Sequence, residues 1–185
     1  MASTREILLV EDNPGDAYLV CDVLNHSPQP CHVAVAVDGL KAIDFLRQHD
    51  SDDTVPDLVL LDLNLPLKDG RAVLSELKGD ADLRRIPVVV FSSSDAASDV
   101  ERCYELGANC YVRKPGNLVE FVSAVEAMSR FWFGPATLPA KPQAVDAKPA
   151  ADPAERLRKL LKRAGGVPPR IGRYGQDESE ANDNQ

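Results

Sequence analysis

The chain has 185 residues, 44% of them hydrophobic, and a formal net charge of -8. That length suits one domain of ordinary size plus an appended segment, with enough apolar residues for a core. The acidic balance argues against a general nucleic-acid binder, and no apolar run approaches the roughly 18 residues of a membrane span.

The charge is unevenly placed. Residues 1–133 hold 12 Lys/Arg and 22 Asp/Glu, a balance of -10, whereas residues 134–185 hold 9 and 7, a balance of +2. Residues 1–6 contain no apolar stretch that reads as a secretory signal, so a cytoplasmic protein is expected. Cys21, Cys31, Cys103 and Cys110 include no Cys-x-x-Cys pair. They read as small, partly buried hydrophobes rather than as disulfides or metal ligands.

In chain order, Ile7-Leu8-Leu9-Val10 reads as a short strand that runs into Glu11-Asp12-Asn13-Pro14. Asn13 can cap a helix and Pro14 fits its first turn. That helix carries Tyr18, Leu19, Val20 and Val23 and reaches about His26. Cys31–Ala36 is a second strand, followed by a helix capped by Asp38 with Ala42, Ile43 and Leu46 at helical spacing. Leu58–Leu61 is apolar at every position, as in a strand covered on both faces, and it ends at Asp62. Gly70–Lys78 is a third helix, striped by Val73, Leu74 and Leu77.

Ile86–Phe91 reads as a fourth strand, ending at Ser92. A fourth helix carries Val100, Cys103 and Tyr104, with Gly107 suited to its C′ position. Asn109–Val112 is a short fifth strand ending in Arg113-Lys114-Pro115. Asn117 and Glu120 form a capping box. It opens a fifth helix with Leu118, Phe121, Val122 and Val125 that runs to Phe131-Trp132. Five β–α repeats with short connections demand a parallel sheet with right-handed crossovers. The expected fold is α/β: a flavodoxin-like, doubly wound five-stranded parallel sheet in the order 2-1-3-4-5, with five helices and a C-terminal extension.

That topology gathers the residues following the strands at one edge: Glu11 and Asp12, Asp62, Ser92, and Lys114. Carboxylates about 4 Å apart repel by roughly 4 kcal/mol per pair at an effective dielectric near 20. An oxygen-only site of this kind suits a hard cation, Mg²⁺ (or Mn²⁺). With a cation in place, Asp62 is poised as a nucleophile, Lys114 supplies a point charge for phosphate oxygens, and the Ser92 hydroxyl can donate to one of them. The pattern is that of phosphoryl transfer to a carboxylate, which depends on positioning and charge neutralisation. Any one of these residues alone would read as a turn, a cap or a solvated acid. Their coincidence at consecutive strand ends carries the weight.

The motifs Val10-Glu11-Asp12, Leu61-Asp62, Phe91-Ser92 and Lys114-Pro115, in this order and spacing, resemble those of the receiver domain of two-component response regulators. Glu11-Asp12-Asn13-Pro14-Gly15-Asp16, Asp62-Leu63-Asn64-Leu65-Pro66, Tyr104-Glu105-Leu106-Gly107-Ala108-Asn109 and the closing Phe131-Trp132 are similar to the single-domain regulators that partner phytochrome histidine kinases. The resemblance implies that Asp62 is the phosphoacceptor and that Asp12 ligates the metal directly. It further implies Glu11 acting through water and the backbone carbonyl of Asn64 as another ligand. Ser92 and Tyr111 match the switch pair of that family. Glu11 departs from the family's commoner Asp. The implied partner is a sensor histidine kinase of the bacteriophytochrome type. The implied protein is a signalling module rather than an enzyme, with self-phosphorylation and self-dephosphorylation as its only chemistry.

The receiver is expected to span 1–133. Residues 134–151 are rich in Pro and Ala and read as an extended linker. Over 152–166, Leu157, Leu160, Leu161 and Ala164 keep helical spacing opposite a basic face, giving a short amphipathic helix that needs a docking partner. Residues 167–185 read as disordered. The helix could dock on its own receiver or a dimer mate, on a separate partner, or on nucleic acid or a membrane. The first is favoured by charge, and the last is disfavoured because no DNA-reading module is present. A homodimer is expected because two large aromatics close the fifth helix. Two other classes stay open: a transcription regulator that uses the tail, and a phosphohydrolase on the same sheet. The latter normally needs an acid two residues past its nucleophile, where this chain has Asn64.

Overall fold

The computed structural model describes residues 4–29, 31–47 and 55–140. The elements are β1 (Arg5–Val10), α1 (Pro14–Asn25), β2 (Cys31–Ala36), α2 (Gly39–Arg47), β3 (Leu58–Leu61), α3 (Gly70–Gly79), β4 (Val88–Ser92), α4 (Ala97–Glu105), β5 (Cys110–Arg113) and α5 (Leu118–Trp132). The five strands pair in parallel in the order β2-β1-β3-β4-β5, the doubly wound order read from the sequence.

The strand residues divide between two cores by their twofold alternation. Leu8, Val10, Val59, Leu61, Val88 and Val90 face α2, α3 and α4, meeting Ile43, Leu46, Val73, Leu74, Leu77 and Cys103. Ile7, Leu9, Leu58, Leu60, Val89 and Phe91 face α1 and α5, meeting Val20, Leu24, Phe121, Val125 and Met128. The uninterrupted apolar runs in β1, β3 and β4 follow from this, because both faces of the central strands are covered. Phe91 and Phe121 rings lie 5.1 Å apart, centre to centre, tying β4 to α5.

Side-chain caps form at four helices, three of them (α1, α2 and α5) at the residues expected from the sequence. Asn13 Oδ1 accepts from the N–H groups of Gly15 and Asp16 at α1, and Asp38 Oδ1 accepts from Lys41 N–H at α2. Asp69 Oδ1 accepts from Arg71 N–H at α3, and Asn117 Oδ1 from Glu120 N–H at α5. Gly107 follows α4 at φ +93°, the left-handed conformation that suits glycine.

Several boundaries and faces differ from expectation. β4 begins at Val88 because Pro87 has no N–H to donate, although its carbonyl still accepts from Val59. Asn109 lies outside β5, and its side-chain oxygen accepts from Val88 N–H and Lys78 Nζ. Tyr18, Tyr104 and Leu118 are solvent-exposed rather than members of the apolar stripes.

Two glycines make close approaches on the β3 side of the sheet. A Cβ on Gly70 would stand 2.1 Å from the Asp62 carbonyl oxygen, and one on Gly39 would stand 2.2 Å from the Lys68 carbonyl oxygen. The loop from Asp62 to Gly70 is therefore packed directly against backbone at both points. Beyond α5, Phe133 is buried, and Leu138 packs against the core on the α1 and α5 face. The expected helix at 152–166 and tail at 167–185 lie outside the described residues, as does the expected linker beyond residue 140. No helix among the described residues is long and apolar enough to cross a membrane.

Candidate functional site

Backbone bonds extend the parallel ladder one residue past the strands and so fix the site. Glu11 N–H donates to Ala36 O at 2.9 Å, Asp62 N–H to Val10 O at 3.0 Å, and Lys114 N–H to Ser92 O at 2.8 Å. The side chains that follow β1, β3 and β5, with Ser92 at the end of β4, are thus held at the carboxyl edge of the sheet, where open α/β folds place their ligands.

Lys114 is the centre of the cluster. Its ammonium donates to Glu11 Oε2 at 2.6 Å, Asp62 Oδ2 at 2.7 Å and Asp16 Oδ2 at 2.9 Å. Its side chain is only 7% exposed, and Glu11 and Asp62 are comparably buried. The other oxygen of Asp62, Oδ1, accepts from Ser92 Oγ at 2.7 Å and from Asn64 N–H at 3.1 Å. Glu11 Oε1 accepts from Asn13 N–H at 3.1 Å. The Lys114 ammonium also stands 5.8 Å from the centre of the Phe91 ring.

These contacts set the charge states. Burial alone would push Asp62 upward, but the hydrogen bonds from Lys114 and Ser92 outweigh it and hold the carboxyl below its ordinary value. Glu11 is shifted the other way: its burial outweighs the help from Lys114. Burial disfavours the Lys114 ammonium too, yet hydrogen bonds to Asp62, Glu11 and Asp16 raise its pKa.

Glu11, exposed Asp12 and Asp62 each offer a carboxylate oxygen within 4.8 Å of the others. Opposite ligands of a six-coordinate Mg²⁺ lie about 4.2 Å apart, from bonds of about 2.1 Å. The donor set is all hard oxygen. Three carboxylates, Glu11, Asp16 and Asp62, contact the one ammonium of Lys114, and Asp12 adds a fourth acid beside Glu11 and Asp62, so a divalent cation would meet surplus negative charge. The residues fit such an ion.

Tyr111 is half-buried on β5, paired in register with Val90. Its hydroxyl donates to Ser94 O at 2.8 Å, and its N–H donates to Tyr104 Oη at 3.3 Å. Ser92 and Tyr111 are therefore joined through the β4–α4 loop. The sequence reading missed Asp16 as a partner of Lys114. An acid in the first turn of a helix reads as a complement to the helix dipole, although its place one turn past Asp12 gave a signal. It also missed Arg71, Ser94 and Asp99. Asp99 Oδ2 accepts from Arg71 Nη2 at 2.6 Å and Ser94 Oγ at 2.5 Å.

A buried carboxylate between a lysine, a hydroxyl and two further acids, on a five-stranded sheet of this order, defines a class. The family profile of the response regulator receiver domain matches residues 7–126. The chain belongs to this family. It is 46% identical over 138 residues to response regulator Rcp1 of Synechocystis sp., covering 74% of this chain and 94% of that protein. The Mn²⁺-bound form of Rcp1 superposes with a TM-score of 0.69 at 45% identity, over 74% of this chain and 99% of that one. The phosphorylated cyanobacterial phytochrome response regulator RcpA gives 0.70 at 44% identity, over 75% and 100%. The receiver domain of sensor histidine kinase PA1611 of Pseudomonas aeruginosa has a magnesium ion coordinated in its active-site cleft. It gives 0.58 at 26% identity, over 71% and 99%. The chain is thus a two-component response regulator, homologous to phytochrome-associated ones.

Proposed function

We propose that Asp62 accepts a phosphoryl group from a sensor histidine kinase, of the bacteriophytochrome type, and that the resulting acyl phosphate switches the surface the protein presents to its target. The observation that carries this reading is the full engagement of one buried carboxylate: Lys114 on Asp62 Oδ2, and Ser92 and Asn64 N–H on Oδ1. An Asp62 oxygen attacks phosphorus while the bond from phosphorus to the donor's histidine nitrogen breaks. The electron pair of that bond leaves on the imidazole.

Glu11, Asp12, Asp62 and the backbone carbonyl of Asn64 would hold Mg²⁺ or Mn²⁺, which neutralises charge between nucleophile and phosphoryl oxygens. Lys114 already spans Glu11 and Asp62 and is placed to follow the new negative charge. The Ser92 hydroxyl, held on Asp62, can turn its donation to a phosphoryl oxygen. That change passes along the β4–α4 loop to Ser94 and Tyr111. Moving a two-state balance from mostly off to mostly on takes about 5.5 kcal/mol, more than the roughly 1.5–3 kcal/mol of a single charged hydrogen bond. Lys114, the metal and the repositioned Tyr111 supply the rest.

In this reading the chain is a signalling module whose only catalysis is its own phosphorylation and dephosphorylation. It acts in the cytoplasm, where four unpaired cysteines are chemically at ease. It is a homodimer through the end of α5, where the Phe131 ring is 55% exposed and meets Trp132 edge to face. Incubation with acetyl phosphate and Mg²⁺ should label the wild-type protein and leave Asp62→Asn unlabelled; labelling of the variant overturns the assignment. Light scattering should report half the wild-type mass for Phe131→Asp, and an unchanged mass removes that ring from the interface.

A further inference from the structure

We propose that Arg71 and Asp99 are positioning residues for phosphorylation: their ion pair clamps the β4–α4 loop in its present conformation, and opening the clamp speeds the loading of Asp62. The inference rests on Asp62 being the acceptor.

The clamp closes a ring around the site. From Asp62, the Ser92 hydroxyl leads into the β4–α4 loop. Two residues on, Ser94 Oγ donates to Asp99 on α4. Asp99 pairs with Arg71 on α3 at 2.6 Å. Arg71 in turn is anchored to the α3 cap, since its Nη1 donates to Asp69 Oδ2 at 2.9 Å. Next to it, Gly70 N–H donates to Leu63 O at 2.9 Å, beside Asp62 itself. The ring thus leaves the acceptor on one side and returns on the other.

Loading Asp62 disturbs this ring at one point. Ser92 has no solvent exposure and stands 2.7 Å from the acceptor oxygen. A phosphoryl group there must share the space around that hydroxyl, so the loop carrying it has to shift. Ser94 lies two residues further along the same loop. It is held twice, by its hydroxyl on Asp99 and by its carbonyl, which accepts from Tyr111. A shift at Ser92 therefore works against the Asp99 contacts. The hydrogen bonds from Arg71 and then Ser94 keep the Asp99 carboxyl below its ordinary value, so the pair is charged at neutral pH.

The side chains of Arg71 and Asp99 are 29% and 23% exposed, so the pair is of the partly screened kind. Removing either charge should raise the initial rate of labelling by acetyl phosphate about two- to fivefold. Arg71→Gln and Asp99→Asn should each do so. The double variant should gain no more than the larger single gain, because one contact is lost in all three. The exchanged pair, Arg71→Asp with Asp99→Arg, should return toward the wild-type rate. Merely structural damage would slow labelling. In the unphosphorylated Asp99→Asn protein, the amide signals of Ser94 and Tyr111 should move toward their positions in phosphorylated wild type.

Single variants that label at or below the wild-type rate, or amide signals that stay in place, overturn the clamp while wild-type labelling at Asp62 stands. Labelling that survives Asp62→Asn instead overturns the assignment of the acceptor.

Discussion

The Ser92 hydroxyl donates to Asp62 Oδ1 at 2.7 Å across the junction of two neighbouring strands. The donor is completely buried and the acceptor nearly so. A hydroxyl in that position stabilises the carboxylate and blocks any other donor from reaching Oδ1 on that side. Ser92→Ala should leave Asp62 able to take phosphate but should weaken the coupling to Tyr111. The loss should be about 1.5–3 kcal/mol of differential stabilisation, the size of a hydrogen bond to a charged group. Tyr111 amide shifts on phosphorylation should shrink accordingly, and full-sized shifts in the variant would place the coupling elsewhere.

Lys114 is the single ammonium shared by Glu11, Asp16 and Asp62. Lys114→Met leaves buried negative charge unpaired and should lower stability by about 3–5 kcal/mol in urea unfolding at neutral pH without added metal. Mg²⁺ should raise the melting temperature of the variant more than that of the wild type, because the ion then relieves repulsion that nothing else relieves. An equal rise in the two proteins would separate the metal from these carboxylates.

The acid limb of stability should be split between two groups of opposite sign. Asp62 has a depressed value in the folded state. Its contribution is present above its unfolded value, about 3.9, and is lost as pH falls through the lower folded value. Glu11 is raised by burial. Its contribution is fully present below its unfolded value, about 4.3, and is lost as pH rises through the higher folded value. Carboxyl NMR titration should find Asp62 protonating after Glu11 as the solution is acidified. The reverse order would mean that Lys114 favours Glu11.

Lys78 gives a signal at the alkaline end. Its Nζ donates to Ile86 O at 2.7 Å, Asn109 Oδ1 at 3.1 Å and Arg84 O at 3.2 Å, while burial pulls its pKa down to about 8. Between about 8 and the ordinary 10.5 the unfolded chain binds more protons than the folded one. Stability from this group therefore grows with pH across that window. The urea midpoint of wild type relative to Lys78→Met should rise over it, and a flat difference would mean that the ammonium is retained.

Gly70→Ala should be poorly tolerated, because the added carbon would meet the Asp62 carbonyl oxygen at 2.1 Å and Leu63 Cα at 2.7 Å. Both obstacles are backbone and cannot swing aside. A loss of about 1–3 kcal/mol is expected, read as a lower urea midpoint. A neutral result would require the loop to have room that the contact distances deny.

Strand order and the convergence of Glu11, Asp12, Asp62, Ser92 and Lys114 were legible because both follow from alternation of apolar segments with helices. The strand ends were less so. Pro87 truncates β4 through a missing donor, and Asn109 satisfies Val88 with a side chain in place of a strand pairing. Helix faces failed where apolar side chains sit near a helix start: Leu118 is exposed although it opens the capping-box helix. The Arg71–Asp99 contact was invisible because it joins α3 to α4 across the fold. No local pattern encodes the angle between those helices.

The close backbone approaches at Gly39 and Gly70 give the molecule a stiff flank and a compliant one. At the loop after β3, carbonyl oxygens of Asp62 and Lys68 meet the glycines that open α3 and α2 with no slack, so a push arriving there is resisted by covalent chain. On the β4 and β5 flank, hydroxyls and ion pairs do the holding, and these can exchange partners without breaking the core. A phosphoryl group on Asp62, as proposed above, would therefore be accommodated on the side held by exchangeable contacts.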